Sequence, residues 1–264
     1  MLRIQDVTKI FNIGTVNENK ALDNLSLTLN DGDFVTVIGG NGSGKSTMLN
    51  IIAGVYFPEA GHIMIDDKNV TGLPEYKRAS LIGRVFQDPM MGTAADMGIE
   101  ENLALALRRG RSRGLKWGIT KRERRQYYEL LRELDLGLEK RLTSKVGLLS
   151  GGQRQSLTLL MATLKEPKLL LLDEHTAALD PKTAARVLEI TEKIVNDFGL
   201  TTLMVTHNMK DAIAMGNRLI MLYKGRIIVD VKGEDKKNLT VEKLLKMFSD
   251  ASGSDEADDK LLLS

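Results

Sequence analysis

A short glycine-rich segment with one lysine and several hydroxyl side chains has the composition of an anion-binding loop. It occupies residues 39–47 and has the sequence GGNGSGKST. Glycines let successive backbone N–H groups point at one anion, Lys45 brings a positive charge to the outer phosphates, and the Ser46 hydroxyl is placed to bind Mg²⁺. The segment predicts a nucleoside triphosphate site formed by Gly39, Asn41, Gly42, Ser43, Gly44, Lys45, Ser46 and Thr47.

The sequence on either side of this loop supports the same prediction. Residues 34–38 form an apolar, β-branched run that is typical of a buried strand, and residues 48–54 have the character of a helix. Strand, glycine loop and helix is the order that a phosphate-binding P-loop requires. The start of the helix adds the positive end of its dipole. A glycine-rich turn without a ligand is the alternative interpretation.

Two adjacent acids follow an apolar run farther along the chain. Residues 169–172 are four leucines, as expected of a strand that is covered on both faces, and Asp173 and Glu174 come next. In P-loop enzymes such a strand delivers a carboxylate to the Mg²⁺ shell, and this predicts Asp173 as a metal ligand. Glu174 lies at the carboxyl end of the strand, where it can orient or deprotonate the attacking water. A turn with two solvated acids is the alternative.

A second predicted anion site lies at residues 149–155, which read LSGGQRQ. Ser150 can cap a helix that runs to about residue 164, and Gly151 and Gly152 leave backbone N–H groups bare at its start. An ordinary capped helix is the alternative. Because one triphosphate does not require a second anion site in the same chain, the segment suggests two phosphates or two protomers.

Three further polar residues lie at the ends of predicted elements. The side-chain oxygen of Gln87, after a predicted strand, can join the Mg²⁺ or water shell, and His207, after another strand, can hydrogen-bond a γ-phosphate. Asp180 precedes a proline at a helix start, which is ordinary capping. A surface-loop role is the alternative for Gln87 and His207. We expect His62 and His175 to be structural.

Composition limits the class of protein. The 264 residues are 42% hydrophobic and 27% charged, as in an ordinary globular protein, and the absence of cysteine excludes disulfides and thiolate metal sites. No apolar run reaches the roughly 18 residues of a membrane span, and the first residues lack the apolar region of a signal peptide, so we expect a cytoplasmic location. The net charge of +2 conceals an acidic C-terminal tail and a basic segment at residues 108–125.

The predicted elements indicate an α/β fold. They include a loop at residues 12–20, a short helix at residues 74–81, a strand at residues 82–86, and a helix that begins with a capping box formed by Thr120 and Glu123. We expect a P-loop NTPase core, with a mixed sheet, flanking helices and an antiparallel β part, and an inserted all-helical lobe. Residues 1–87 and 166–231 form the predicted core, and residues 88–165 form the lobe. A C-terminal helix is predicted at residues 232–250, and residues 251–264 form an acidic tail that we expect to be disordered.

In their order and spacing, these motifs resemble those of the ATPase subunit of an ABC (ATP-binding cassette) transporter, over about residues 2–248. The glycine loop matches Walker A, and residues 169–174 match Walker B. Gln87 matches the Q-loop, Asp180 the D-loop and His207 the switch histidine. The residues that match the signature sequence are Ser150, Gly151, Gly152 and Gln153.

The resemblance implies a mechanism in which two subunits close head to tail around two ATP molecules with Mg²⁺. Walker A of one subunit then faces the signature sequence of the other. Glu174 would be the general base, His207 would hold the γ-phosphate and water in line, and Gln87 would contribute to catalysis and to the metal shell. Phe11 takes the position of an aromatic residue that stacks on adenine. His175 stands where many members have proline.

The resemblance also implies a separate membrane permease, which would contact the chain near residues 87–102 and keep it at the cytoplasmic face of the membrane. The chain is most similar to bacterial importers of small solutes such as amino acids, which work with an extracytoplasmic substrate-binding protein. The alternatives are an ATPase of a lipoprotein-release or export system, or a soluble ABC ATPase acting on ribosomes or nucleic acid. The basic segment at residues 108–125 would face lipid headgroups, remain solvated, or bind nucleic acid, which is the least favoured partner.

Overall fold

Two β-sheets form the frame of the protein. The structure, a computed structural model, describes residues 1–110 and 118–252. One sheet has the strand order β2-β1-β4-β5 and the other β10-β9-β3-β8-β7-β6. Within the described residues the strands are β1 (Leu2–Phe11), β2 (Asn19–Leu29), β3 (Phe34–Ile38), β4 (Ala60–Ile65), β5 (Lys68–Asn69), β6 (Ile82–Val85), β7 (Leu169–Asp173), β8 (Thr202–Val205), β9 (Arg218–Tyr223) and β10 (Arg226–Lys232).

Helices cover both faces of the larger sheet or connect its strands. Several of their ends agree with the capping residues in the sequence: Thr120 and Glu123 form the predicted capping box, and Asp180 accepts a hydrogen bond from the backbone N–H of Thr183. The helices of the described residues are α1 (Lys45–Ala53), α2 (Glu75–Arg78), α3 (Ile99–Leu107), α4 (Lys121–Glu133), α5 (Gly151–Thr163), α6 (Pro181–Phe198), α7 (Met209–Ala214), α8 (Glu234–Lys237) and α9 (Val241–Ser252).

The larger sheet is parallel except at one edge. Strands β9, β3, β8, β7 and β6 run parallel to one another, and β10 is antiparallel to β9. The smaller sheet is antiparallel throughout its described pairs. The predicted mixed sheet and antiparallel β part are both confirmed. Because the carboxyl ends of parallel strands share one edge, the loops that follow β3, β6, β7 and β8 meet there.

The four leucines of β7 show how the sheet is held between two apolar layers. Leu169 and Leu171 pack into a core with α1 and the antiparallel sheet. Leu170 and Leu172 point to the opposite face, into a core with α3, α4, α5 and α6. Burying such a side chain stabilises the fold by about 1.5–3 kcal/mol. The prediction of a strand covered on both faces is therefore correct.

The helices of the predicted lobe are attached to the sheet through α5. Among the described residues of segment 88–165, α3 and α4 pack together, and α5 packs against β6 and α6. Leu157 and Leu160 of α5 lie in the same core as Val85 of β6. This part of the chain is helical as predicted, but it shares its core with the sheet. Its limits as a domain stay a prediction.

The C-terminal segment corrects the prediction of a single helix at residues 232–250. Strand β10 continues to Lys232, and two helices, α8 and α9, follow it. The strand is extended because Val229 and Val231 both reach the core beneath α9, and Gly233 ends it with a φ of 61°. Residues 251 and 252 belong to α9, and the remainder of the predicted acidic tail lies outside the described residues.

Two shorter elements also differ from their predicted limits. Strand β2 begins at Asn19, inside the predicted loop 12–20, because Asn19 pairs with Phe11 of β1. Helix α2 is a single turn preceded by Pro74, shorter than the helix predicted at residues 74–81. In both cases pairing or packing with a distant segment decides where the element ends.

Arg78, the last residue of α2, ties several chain segments together. Its completely buried guanidinium donates hydrogen bonds to the carbonyl oxygens of Ile51 and Ile52 in α1 and of Thr71 and Leu73. The last carbonyls of a helix have no partner within the helix, and Arg78 supplies one. Burial lowers the pKa of Arg78 to about 10, so it remains charged at neutral pH. It therefore fixes the end of the helix that begins at the glycine loop.

We expect the substitution Arg78→Leu to lower the free energy of unfolding by about 2–4 kcal/mol, because the carbonyl groups of Ile51, Ile52, Thr71 and Leu73 each lose a hydrogen-bond donor. Arg122→Leu, at an exposed position of α4, is the matched control and should change it by less than about 0.5 kcal/mol. Urea denaturation followed by circular dichroism measures both. Equal destabilisation of the two variants would contradict the assigned role.

Candidate active site

The glycine loop at residues 39–47 connects β3 to α1, in the predicted order of strand, loop and helix. Gly39 and Gly44 have φ angles of 152° and 106°, in the region that favours glycine. A Cβ atom at Gly39 would clash with the carbonyl oxygen of Leu222, and one at Gly44 would lie 2.6 Å from that of Ala21. Any side chain at these two positions would displace the loop from its neighbours in the sheet.

Lys45 is folded over this loop. Its ammonium donates hydrogen bonds to the carbonyl oxygens of Gly39 at 2.7 Å and Gly40 at 3.2 Å. The residue is only 7% exposed, and this burial lowers its pKa, while the nearby carboxylates of Glu174 and Asp173 act in the opposite direction. An ammonium has three donors and its stem is flexible, so Lys45 can turn a donor toward a phosphate above the loop.

The register of the parallel strands places the other predicted residues at the same edge of the sheet as this loop. Val85 of β6 is level with Leu172 of β7, so Gln87 and Glu174 each follow two residues after a paired position. Val37 of β3 is likewise level with Val205 of β8, so Gly39 and His207 follow two residues after that pair. Residues far apart in the sequence thus meet along one edge of the sheet.

The two carboxylates lie in different electrostatic surroundings. Asp173 ends β7, and its Oδ2 lies 3.5 Å from Nη2 of Arg84. Burial raises the pKa of Asp173, although the cations Arg84 and Lys45 oppose the shift. The Glu174 side chain is partly exposed, and its Oε2 lies 3.7 Å from Nδ1 of His207. Asp173 thus lies beside the cation Arg84, whereas Glu174 lies beside His207.

Sequence reasoning missed Arg84, which contacts three parts of the site. Besides Asp173, its Nη2 donates a hydrogen bond at 2.8 Å to the Asn50 side chain of α1, and its guanidinium lies 4.5 Å from the ring centroid of Phe86. The available signal was a charged residue inside the otherwise apolar strand at residues 82–86. Gln87, which follows Phe86, is exposed at the end of this strand.

The LSGGQ segment forms the start of α5. The Ser150 hydroxyl accepts a hydrogen bond from the backbone N–H of Gln153, and the Gln153 side chain accepts one from the N–H of Ser150, which confirms the capping prediction. A Cβ atom at Gly152 would clash with Thr183 of α6, and one at Gly151 would lie 3.0 Å from the Leu179 side chain. The glycines therefore let the starts of α5 and α6 lie side by side.

The two predicted anion sites are separate within one chain. Among the hydrogen bonds and ion pairs of the described residues, none joins residues 149–153 to the glycine loop. Asp180 lies beside the LSGGQ segment, because it caps α6 next to Gly152 and Thr183. The structure thus places Gln87, Glu174 and His207 at the same edge of the sheet as the glycine loop, and no described contact joins the LSGGQ segment to that loop.

Phe11 lies at the end of β1 and is half-buried. Its ring meets Tyr56 edge to face, with centroids 5.3 Å apart, and the Lys9 ammonium lies 5.3 Å from its centroid. This contact holds the ring of Phe11 at its edge. Tyr56, which follows α1, is a second aromatic residue here that the sequence motifs did not indicate. Adenine stacking on Phe11 stays a prediction.

Part of the basic segment at residues 108–125 serves the fold of the chain. Arg108 pairs with Glu123 at 2.7 Å, and Arg124 makes a two-pronged contact with Glu100 at 2.6 and 2.7 Å. These two ion pairs connect α3 with α4. Arg109 is half-buried, and burial lowers its pKa. The basic residues of the segment that lie outside the described part are Arg111, Arg113 and Lys116.

The residues at the sheet edge fit a magnesium-bound triphosphate. Ser46, Asp173 and Gln87 offer a hydroxyl, a carboxylate and an amide oxygen, the hard oxygen ligands that Mg²⁺ prefers. The Ser43 hydroxyl is buried in the loop without a hydrogen-bond partner among the described residues, so the loop retains an unused polar atom.

No helix of residues 1–110 or 118–252 is long and apolar enough to cross a membrane.

The glycine loop after a central parallel strand, with two acids after the strand next but one in the same sheet, defines a P-loop nucleoside triphosphatase. A family model described as ABC transporter matches residues 22–177, more than half of the sequence, and the chain belongs to this family. It is accordingly an ATP-binding, ATP-hydrolysing subunit of an ABC transporter. The expected fold class and enzyme class are confirmed.

Individual relatives agree with this assignment. The tyrosine transport ATP-binding protein of Clostridioides difficile (strain R20291) is 50% identical over 248 residues, which cover 94% of this chain and 98% of the relative. The spermidine/putrescine import ATP-binding protein PotA of Mannheimia succiniciproducens is 35% identical over 233 residues, and the match covers 87% of this chain but 59% of that longer relative.

A solved structure shows the same fold. It is the dimeric post-hydrolysis state of an ATP-binding cassette bound to ADP and Pi, with 33% identity, a TM-score of 0.75, and a match that covers 88% of this chain and 98% of the other. That cassette binds the products of ATP hydrolysis as a dimer.

Burial of His175 beside the two acids makes stability depend on pH. Its imidazole is 2% exposed, and burial lowers its pKa to about 4 from the usual 6.5. Between these values the unfolded chain binds more protons than the folded chain, so stability falls as pH drops from 6.5 toward 4. The loss of stability amounts to about 3 kcal/mol at most, and it is complete once the pH is below the folded-state pKa.

We expect the free energy of unfolding of His175→Gln to rise relative to that of wild type as the pH falls from 7 to 4, by up to about 3 kcal/mol. His62→Gln is the matched control, because His62 is exposed. Denaturant unfolding at several pH values measures the change. Parallel pH profiles for wild type and His175→Gln would show that His175 has an ordinary pKa.

Proposed function

We propose that this chain hydrolyses Mg·ATP in a head-to-tail dimer and thereby drives a membrane permease that imports an amino acid. The observation that carries the proposal is the strand register, which brings the glycine loop, two acids, Gln87 and His207 to one edge of the sheet. The substrate class rests on the relative named for tyrosine transport, which matches nearly the whole chain.

The proposed roles at the phosphate follow from the position of each group. Lys45 and the backbone N–H groups of the loop bind the β- and γ-phosphates. Ser46, Asp173 and Gln87 would hold Mg²⁺, which neutralises phosphate charge as it develops during transfer. Arg84, with Nη2 3.5 Å from Oδ2 of Asp173, favours the ionised form of that carboxylate and orients it. Phe11 stacks on the adenine ring.

Glu174 is the proposed general base. Its carboxylate accepts a proton from the attacking water, whose oxygen bonds to the γ-phosphorus as the bond to the β–γ bridging oxygen breaks. His207, 3.7 Å from this carboxylate, donates a hydrogen bond that holds the γ-phosphate and the water in line. A positioned base contributes about 10²–10⁴-fold to the rate.

The second anion site requires a second subunit in this proposal. The bare N–H groups at the start of α5, with the residues Ser150, Gly151, Gly152 and Gln153, contact the γ-phosphate bound by the partner. Asp180 lies beside this helix start and faces the same contact. The solved relative with ADP and Pi is a dimer, which supports the arrangement. Each ATP would then be bound between the glycine loop of one subunit and the start of α5 of the other.

The permease would dock near residues 87–102, and the chain would lie at the cytoplasmic face of the membrane through this contact. Met90 and Met91 are 42% and 69% exposed there, and such flexible apolar side chains adapt to a partner surface. Gln87 at the start of this segment also belongs to the proposed metal shell. Permease movement would thus reach the phosphates directly. An extracytoplasmic binding protein would deliver the amino acid to the permease.

We expect Glu174→Gln to lower kcat for ATP hydrolysis about 10²–10⁴-fold while the affinity for ATP changes little, because the amide cannot accept the water proton. Glu192→Gln, on an exposed face of α6, is the control and should retain full activity. Steady-state ATPase assays and equilibrium binding of a fluorescent ATP analogue separate the two effects. Near-normal turnover of Glu174→Gln would refute the assignment of the base.

Uptake by whole cells tests the transport proposal. Cells with the wild-type chain or Glu192→Gln should accumulate radiolabelled tyrosine or another amino acid, whereas cells with Glu174→Gln should not. Labelled putrescine and spermidine test the substrates of the more distant relative. If the Glu174→Gln cells lose only polyamine uptake, the transported substrate is a polyamine and not an amino acid. Unchanged uptake of every solute would contradict a role in import.

A further inference from the structure

The backbone at Glu174 adopts an unfavourable conformation. Its φ angle is +44°, in the left-handed region, which costs of order 1–3 kcal/mol for a residue with a side chain like this one. The N–H of Glu174 donates a hydrogen bond to the carbonyl of Val205 in β8, and its own carbonyl accepts one from Ala177. The surrounding structure must therefore hold the turn in this form, because the turn would otherwise relax.

The next residue, His175, supplies a long-range anchor for this turn. Its Nε2 lies 3.0 Å from the Oγ1 of Thr191, in the third turn of α6, and both side chains are buried. Thr191 Oγ1 donates its hydrogen to the carbonyl oxygen of Val187 at 2.8 Å. Since a hydroxyl has one hydrogen, it accepts the hydrogen bond from His175, which must carry its proton on Nε2.

The Glu174 side chain has little direct support. Among the described residues, no hydrogen bond is made to the Glu174 carboxylate. Its Oε2 lies 3.7 Å from Nδ1 of His207, and both side chains are partly exposed. The direction of the carboxylate is therefore set chiefly by the backbone from which it projects. That backbone is fixed on one side by β8 and on the other by His175.

We propose that His175 is a positioning residue for ATP hydrolysis, which holds the Glu174 turn to α6 through Thr191 and so aims the Glu174 carboxylate. The inference rests on the proposed role of Glu174 as general base. His175 itself touches neither phosphate nor water. A shift of about 1 Å in a reacting group can cost on the order of 10²-fold in rate, so loss of the anchor should reduce kcat without weakening ATP binding.

The test is a set of ATPase measurements on the full chain. We expect His175→Ala to lower kcat at least about tenfold, with KM for ATP changed less than about twofold. His175→Gln should restore kcat to within about threefold of wild type, because the amide nitrogen of glutamine can occupy the place of Nε2 and donate to Thr191. His62→Ala, at an exposed histidine, should match wild type.

Variants of the partner residue test the hydrogen bond itself. Thr191→Val removes the hydroxyl and should resemble His175→Ala, whereas Thr191→Ser keeps it and should resemble wild type. The double variant His175→Ala/Thr191→Val should be no slower than the slower single variant, because both changes break one contact. Equal kcat for His175→Ala, His175→Gln and wild type would overturn the inference, as would failure of His175→Gln to restore activity.

Combination with Glu174→Gln separates this inference from the proposed function. If His175 acts through Glu174, the variant Glu174→Gln/His175→Ala should be no slower than Glu174→Gln. A further tenfold loss in that background would show that His175 acts by another route. If Glu174→Gln alone retains near-normal turnover, the assignment of the base fails first. If Glu174→Gln is inactive but His175→Ala is normal, the positioning role alone fails.

Discussion

The parallel alignment of β3, β8, β7 and β6 is the constraint on which the rest of the structure depends. Each strand ends at the same edge, and the pairs Val37–Val205 and Val85–Leu172 set the heights of the loops that follow. A shift of one residue in either pair would turn every side chain of a strand to the opposite core. The apolar layers on both faces therefore fix the geometry of the site, although they contain none of its functional groups.

Charge balance is the second constraint. Two cations, Lys45 and Arg84, lie next to Asp173 and Glu174 in a partly buried site, and such charges are stable only when they compensate one another. Mg·ATP adds net negative charge to this balanced group. The N-terminus of α1 supplies some positive potential. The start of α5 can supply more only from a second subunit, because it lies away from the loop in its own chain.

Local sequence patterns were sufficient for most elements and for the glycine loop. The P-loop spacing, the leucines of β7 and the caps at Thr120, Ser150 and Asp180 are all short-range signals, and the structure has each of them where we predict it. Contacts between residues far apart in the sequence could not be predicted from these short-range signals. They determine the extension of β10, the short length of α2, and the attachment of α5 to the sheet. The contacts Arg84–Asp173 and His175–Thr191 join residues 89 and 16 positions apart, which no periodicity reveals.

The attachment of α5 also connects the chain before Gln87 to the LSGGQ segment. Gln155 of α5 is buried, and its side-chain amide donates a hydrogen bond to the carbonyl oxygen of Phe86, directly before Gln87. The start of the same helix, four residues earlier, is the LSGGQ segment. A displacement of the chain at Gln87 must either break this hydrogen bond, which leaves the Gln155 amide without that acceptor, or carry α5 with it. One hydrogen bond thus links the backbone before Gln87 to the helix that begins with the LSGGQ segment.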